Sequence, residues 1–342
     1  MPAEWELHDA CWLAWPCAED LWGDDLAEAR ESFTALCHAI AFAPSGGRSE
    51  GLHILVPDAR REDQARKALG EVSARFFQIP FGDIWLRDIA PLFVENRVGE
   101  LVAALFRFNG WGGKYVLPHD DQVAAHIAEA AGARTVQFDW VLEGGAIEVD
   151  GQGTCLTTRQ CLLNPNRNPH LDRDAVERKL AEALGTRRVL WLERGLVNDH
   201  TDGHVDTLAR FVAPGTAVCM EPSDRDDPNR EALQAIVADL ERFTDAEGRR
   251  LEVRLIPSPG RVLGRSGDAL PASYVNFYIA NHSVAVPTYG VPADGPAVAA
   301  IAQLFPGRRT VGIAARALLA GGGAFHCITQ QQPARSIRSP AG

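Results

Sequence analysis

Glu143-Gly144-Gly145-Ala146-Ile147-Glu148-Val149-Asp150-Gly151-Gln152-Gly153-Thr154-Cys155-Leu156-Thr157-Thr158 is the stretch that decides the architecture. Two short β-type runs, 146–149 and 154–157, flank Asp150-Gly151-Gln152-Gly153, a turn whose glycines supply the positive φ that a tight hairpin needs. Downstream, Val176, Leu180 and Leu184 fall at helical spacing, and 188–192 is again β-type. The unit is hairpin, helix, strand, and the loop before it carries an acid, Glu143.

The same order recurs on both sides. Leu26, Phe33, Leu36, Cys37 and Ile40 form one helical stripe, and Leu69 and Val72 close a shorter one. Val123 and Ile127 mark another; Leu233, Ile236, Val237 and Leu240 the best; Val298, Ile301, Leu304 and Phe305 the last. β-type runs follow the helices at 53–57, 75–80, 135–139, 251–257 and 310–313. Further hairpin pairs join 92–95 to 101–108, 204–212 to 217–220, and 274–280 to 284–287. The copies share no sequence identity, but they repeat with a period of roughly 60 residues, which points to modules around an axis. Element order alone would allow an open α/β sheet. Five copies whose loops carry the polar residues Asp88, Glu143, His204 and Cys327 predict instead an α/β fold of modules about a pseudo-fivefold axis. The loop at 258–266 holds no obvious catalytic group. A single domain is expected over 1–332, with 333–342 as a loose tail.

Composition narrows the function. The chain has 342 residues, 46% hydrophobic and 23% charged, ample for a large core. A formal charge of −11 argues against nucleic acid and anionic membranes and favours a cationic partner. Seven scattered cysteines without a C-x-x-C pair fit free thiols in a reducing compartment, so the cytoplasm is expected. Met1-Pro2-Ala3-Glu4-Trp5-Glu6 carries acids and no apolar core, unlike a signal peptide. Residues 269–293 lack charge, but Pro, Asn, His and Tyr interrupt them, and strands are expected there, not a membrane span.

Chemistry concentrates in a few loops. Cys327 follows Gly321-Gly322-Gly323-Ala324-Phe325-His326, where the absence of side chains lets a ligand approach the backbone and a thiolate would be a strong nucleophile. Trp85-Leu86-Arg87-Asp88 offers a carboxylate beside an aromatic face, a pocket suited to guanidinium or ammonium. A loop Glu143 near a thiol and a histidine could orient an imidazole or accept a substrate N–H. In Asp199-His200-Thr201-Asp202-Gly203-His204-Val205-Asp206, an extended chain would put His200, Asp202, His204 and Asp206 on one face. That set is also what a metal-dependent hydrolase needs, although no H-E-x-x-H pattern is present and Cys327 would then have no role. A phosphate loop, a G-x-S-x-G elbow and a G-x-G-x-x-G fingerprint are all missing.

These motifs in combination resemble the agmatine deiminase family, a branch of the guanidine-modifying pentein superfamily that also includes the Porphyromonas-type peptidylarginine deiminases. The resemblance rests on Met1–Trp5, Trp12–Pro16, Trp85-x-Arg87-Asp88, Trp111-Gly112-Gly113-Lys114, Glu143-Gly144-Gly145, Asp150-Gly151-x-Gly153-Thr154, Asn166-Arg167-Asn168-Pro169-His170, Gly203-His204-Val205-Asp206, Ala272–Tyr278 and Gly321–Gln331. It implies a five-bladed pseudo-symmetric α/β propeller of ββαβ modules. It also implies that Cys327 attacks a guanidinium carbon to give a covalent thiouronium, and that His204 moves the protons. Asp88 and Asp206 would bind guanidinium nitrogens, Glu143 would hold substrate and His204 in register, and Trp85 and His200 would join the substrate pocket. The implied reaction converts agmatine to N-carbamoylputrescine and ammonia with no metal and no organic cofactor. The implied partner is a small cationic guanidine, and a homodimer is the candidate assembly.

Some positions depart from the family pattern. His200 stands where an acid is usual, Asp202 and Thr207 where Asn is usual, Ala90 replaces a glycine, and the loop before Ala272 is short. These departures touch the tail of the substrate more than the chemistry. The alternatives are the same chemistry on arginine, a C-terminal peptidyl-arginine or an alkylguanidine, and, outside enzymology, a module that binds cations without turnover.

Overall fold

Each helical stripe forms a helix with its apolar side inward: Leu26–Ile40, Ala59–Leu69, Asp120–Ala130, Arg173–Leu184, Arg230–Leu240 and Asp294–Leu304. Two of them start on aspartate caps. The Asp58 carboxylate accepts the Arg61 N–H and the Asp172 carboxylate the Ala175 N–H, each at 2.8 Å, satisfying amides that the first helical turn leaves free. Val72 and Phe305 fall just beyond their helices. The computed structural model describes residues 1–96 and 98–334.

Sixteen strands alternate with these helices among the described residues: β1 (His8–Ala14), β2 (Gly51–Val56), β3 (Ala74–Gln78), β4 (Leu92–Glu95), β5 (Leu101–Arg107), β6 (Arg134–Val141), β7 (Ile147–Val149), β8 (Thr154–Thr158), β9 (Arg188–Leu192), β10 (Ala209–Ala213), β11 (Thr216–Glu221), β12 (Glu252–Pro257), β13 (Tyr278–Ile279), β14 (Ser283–Thr288), β15 (Arg309–Ala314) and β16 (Gln330–Pro333). They make five sheets. Four have the orders β4-β5-β6, β7-β8-β9, β10-β11-β12 and β13-β14-β15. In each, the first pair is antiparallel and the second parallel. A parallel neighbour cannot be reached by a tight turn, and in every case the crossover is one of the helices above.

The fifth sheet has the order β16-β1-β2-β3. Its β16 runs antiparallel to β1, and β1 parallel to β2, so the same pattern is made with a strand from the far end of the chain. Neither β1 nor β16 figures among the β-type runs read from the sequence. Gln330, Gln331 and Gln332 are polar, yet all three are buried in β16. The expected tail begins two residues too early. Pro333 pairs with His8, and the Ala334 N–H bonds the Leu7 carbonyl at 2.7 Å. Residues 335–342 of that tail lie outside the described residues. Two further runs are shorter than expected: 204–212 becomes a strand only at Ala209, and 274–280 only at Tyr278.

The loops that enter the first strand of each sheet are equivalent places in the pattern. Asp88 lies before β4, Glu143 before β7, His204 and Asp206 before β10, Asn276 before β13, and Cys327 before β16. The loop at 258–266 is therefore not the fifth member of the set; the segment around Asn276 is. Among the described residues, no helix is long and apolar enough to cross a membrane.

Candidate active site

Cys327 sits in the turn ahead of β16, and its side chain lines a cavity of about 270 Å³ together with Trp85, Asp88, Trp111, Tyr115 and His200. Asn276 Nδ2 donates to Cys327 Sγ at 3.2 Å, and Asp206 Oδ2 lies 3.6 Å from the same sulfur. Burial, with Asp206 and Asp88 nearby, pushes the thiol well above its ordinary pKa, so without a bound cation the sulfur keeps its proton. Gly323 is a matter of space. A Cβ there would stand 2.8 Å from Cys327 Cβ and from the Trp85 ring.

Asp88 and its neighbour Arg87 point to opposite jobs, not to each other as a surface pair would. Asp88 Oδ2 accepts the Trp111 indole N–H at 2.8 Å, and Oδ1 accepts the Gly145 amide at 2.9 Å. Burial raises the Asp88 pKa, opposed by His204 and reinforced by Asp206 and Glu143. Arg87 turns the other way and staples the segment around the cysteine. It donates to Gln330 and Gln331 at 2.8 and 2.7 Å and to the His326 carbonyl at 3.2 Å, and pairs with Glu4 at 3.1 Å. Trp111 reaches Asp88 from a left-handed backbone, φ 52°, a conformation costly for an aromatic residue and kept where surroundings over-determine it.

His204 is buried, 3.8 Å from Asp88 through Nδ1, and neither ring nitrogen has a hydrogen-bond partner among the described residues. Burial alone would lower its pKa, but Asp88, Cys161 and Glu143 outweigh that and raise it well above the ordinary histidine value. Glu143 is fully buried; Oε1 takes the Arg167 Nε–H at 2.6 Å, while Oε2 is unpaired. Arg167 also pairs with Asp202 at 2.6 Å and donates to the Thr201 carbonyl at 2.8 Å. Gly145 joins the two halves of the site. A Cβ on it would lie 2.5 Å from His204 Nδ1 and 3.0 Å from Asp88 Oδ1.

Asp206 has no exposed surface. Burial would raise its pKa, but His326, His204 and Arg210 lower it below the ordinary carboxylate range. Oδ1 has no partner and Oδ2 meets His326 Nδ1 at 2.7 Å. The far nitrogen of His326 is 2.9 Å from Glu4, which also pairs with Arg210 at 2.9 Å. An N-terminal acid is thereby wired to the carboxylate beside the cysteine.

The extended reading of 200–206 is wrong. Asn198, Asp202 and Gly203 have left-handed φ, and Val205–Thr207 is a single 3-10 turn, so side chains do not alternate. His200 is exposed at the cavity mouth, against the Tyr115 hydroxyl at 2.8 Å, and Asp202 is taken by Lys114 and Arg167. Only His204 and Asp206 turn inward, so the four-ligand metal set does not assemble. Trp85 lines the cavity, its indole N–H held by Asp83 and its ring stacked on Trp22 at 6.0 Å. Asn276, Trp111, Arg167 and His326 were not singled out from sequence, although each lies inside a quoted motif.

The Porphyromonas-type peptidyl-arginine deiminase family profile matches residues 1–333. The chain belongs to this family. Among its relatives, the agmatine deiminase of Ectopseudomonas mendocina is 40% identical over 98% of this chain and 95% of its own. The solved agmatine deiminase of Enterococcus faecalis superposes with a TM-score of 0.91 at 36% identity, covering 98% of this chain and 96% of that one. A C. jejuni agmatine deiminase carrying a Cys→Ser substitution, solved with substrate bound, superposes at 0.86 with 28% identity over 97% and 95% of the two chains. The family match spans all five site loops.

Proposed function

We propose that this chain is an agmatine deiminase, hydrolysing agmatine to N-carbamoylputrescine and ammonia in the cytoplasm. The observation that carries the reading is the Cys327 thiol, which shares one small cavity with the buried Asp88 carboxylate and has the buried Asp206 carboxylate 3.6 Å from its sulfur. A guanidinium is planar and permanently cationic, and carboxylates on its edge both orient it and keep positive charge on its carbon. Full-length kinship to agmatine deiminases supports the choice of substrate.

The steps follow from the groups present. The bound cation offsets the carboxylates that hold the Cys327 proton, that proton passes to solvent, and the thiolate adds to the guanidinium carbon. His204, kept protonated by Asp88, gives its proton to the departing nitrogen, and ammonia leaves. The carbon is then an S-alkylthiouronium. His204 takes a proton from water, the hydroxide adds to that carbon, and the C–S bond breaks to release the ureido product and Cys327. Glu143, fixed by Arg167, uses its free oxygen on substrate or imidazole. Protein dipoles and protons suffice for each step.

The five repeated sheets support a five-bladed pseudo-symmetric propeller, one catalytic domain ending with β16. A homodimer remains the proposed assembly, which light scattering tests. A second reading concerns the tail. His200 at the mouth is engaged by Tyr115, and Lys114 donates to its carbonyl at 2.6 Å, so the rim is less acidic than a diamine tail would prefer. Ammonia release from agmatine, arginine, a peptide ending in arginine and simple alkylguanidines decides. Turnover of agmatine above the rest supports the first reading; turnover of another guanidine keeps the chemistry and changes the substrate; none at all removes both.

A further inference from the structure

We propose that Glu143, Cys161 and His204 form a binding site for a thiophilic divalent metal ion, zinc before others, whose occupation takes His204 out of the reaction. Cys161 touches no substrate atom in the deamination; its part there is to help raise the pKa of His204. It nevertheless stands with its sulfur, a Glu143 oxygen and a His204 ring nitrogen all within 4.8 Å of one another, and all three residues are buried.

The spacing is built by the fold. Cys161 lies on the one-turn helix Arg159–Leu162, whose cap is Thr158. The Thr158 hydroxyl accepts the Cys161 amide at 3.1 Å and donates to the Gly203 carbonyl at 2.7 Å, so one side chain sets Cys161 against the residue before His204. Arg167 pins Glu143 through Oε1 alone and leaves Oε2 free. The His204 ring nitrogens make no hydrogen bond among the described residues, and Nδ1 has only the Asp88 carboxylate at 3.8 Å. Buried polar atoms without partners are rare and call for an occupant. Substrate accounts for part of that demand, but it does not engage the Cys161 sulfur, which supports the charge on His204.

A thiolate, an imidazole and a carboxylate are zinc donors, and they leave a fourth position for water. Zinc–sulfur and zinc–nitrogen bonds of about 2.3 and 2.0 Å put tetrahedral donors roughly 3.3 to 3.8 Å apart, so small side-chain rotations close the site. The metal forms bonds to Cys161 sulfur and to a His204 nitrogen, and the protons these carry pass to solvent. The thiolate and the carboxylate then balance the ion's two charges. Arg167 adds a positive charge beside Glu143 and Asp88 a negative one beside His204. With its nitrogen on the metal, His204 neither gives a proton to ammonia nor takes one from water. The consequence for turnover rests on the function proposed above; the binding does not.

The test uses the full chain, stripped of metal with a chelator and titrated with zinc chloride against a chromophoric competitor. A parallel titration with cobalt chloride reads the thiolate-to-metal absorption band. Wild type is expected to bind one equivalent and show the band. Cys327→Ser is expected to keep both, and Cys161→Ser to lose the band and at least about tenfold in zinc affinity. Loss of binding in Cys327→Ser with retention in Cys161→Ser would place the ion on the nucleophile and overturn the proposal, as would no stoichiometric binding. Were Cys161→Ser to misfold, the cobalt band in Cys327→Ser decides alone. Absence of turnover on any guanidine, with zinc still bound through Cys161, would sink the function and spare the site.

Discussion

His326 presents Nδ1 to Asp206 Oδ2 at 2.7 Å, so the residue directly before Cys327 grips the carboxylate that lies against the Cys327 sulfur. The contact helps hold Asp206 ionised although it is wholly buried. Replacing His326 by Asn removes a principal cause of the lowered pKa. Asp206 should then take up a proton at higher pH than in wild type, and a protonated acid binds a guanidinium poorly. The expected outcome is a KM that climbs as pH falls into the acid range, starting at higher pH than in wild type, with kcat less affected. A parallel rise in both proteins would assign His326 to packing alone.

Cys327→Ala should lower ammonia release by at least ~10³ while leaving the fold intact, as loss of a covalent nucleophile does. The thiol's raised pKa adds a sharper expectation for wild type. A cationic alkylating agent such as chloroacetamidine should label Cys327 faster than neutral chloroacetamide by more than their reactivity toward free thiol predicts. The cation, once bound between Asp88 and Asp206, favours the thiolate. Equal labelling, after that correction, would mean the thiolate forms without help.

Thermal stability should carry the mark of His204. Its folded pKa is raised, so its stabilising contribution is complete below the unfolded value, about 6.5, and disappears as pH rises through the folded one. Comparing melting temperatures of wild type and His204→Gln, the margin in favour of wild type should be widest in mild acid and should shrink in alkali. A margin that grows with pH would reverse the assignment of charge.

Gly323→Ala puts a methyl group where Cys327 and Trp85 already are. We expect a large loss of kcat in a variant that still folds, because the carbon bearing the sulfur must move. Gly322→Ala makes the control in space, with nothing within 4 Å, though its φ of 121° strains any side chain. Mass spectrometry of Cys327 after alkylation would report whether the sulfur remains accessible.

Much of this was legible in the chain. Leu233, Ile236 and Leu240, or the turn at Asp150–Gly153, declare their elements because apolar periodicity and glycine placement are local signals. So do the acid and thiol loops. What escaped had non-local causes. β16 is three glutamines and a proline, and it becomes a strand only because β1 supplies the partner. Asn276 and Arg167 act through residues far along the chain, and their spacing to Cys327 or Glu143 exists only after folding. The segment 200–206 misled because its alternation of polar residues looks extended, while left-handed turns at Asp202 and Gly203 break the alternation.

The pairing of β16 with β1 has a consequence for the order of synthesis. The sheet that opens with β1 is the last of the five to be completed, because its edge is supplied by residues 330–333. Cys327 meets Asp206, Asn276 and the Trp85 ring only when that edge docks. A chain that stops short of residue 327 therefore carries the acids and the histidine without the thiol. The Cys327 thiol joins those groups only once residues 330–333 are in place beside β1.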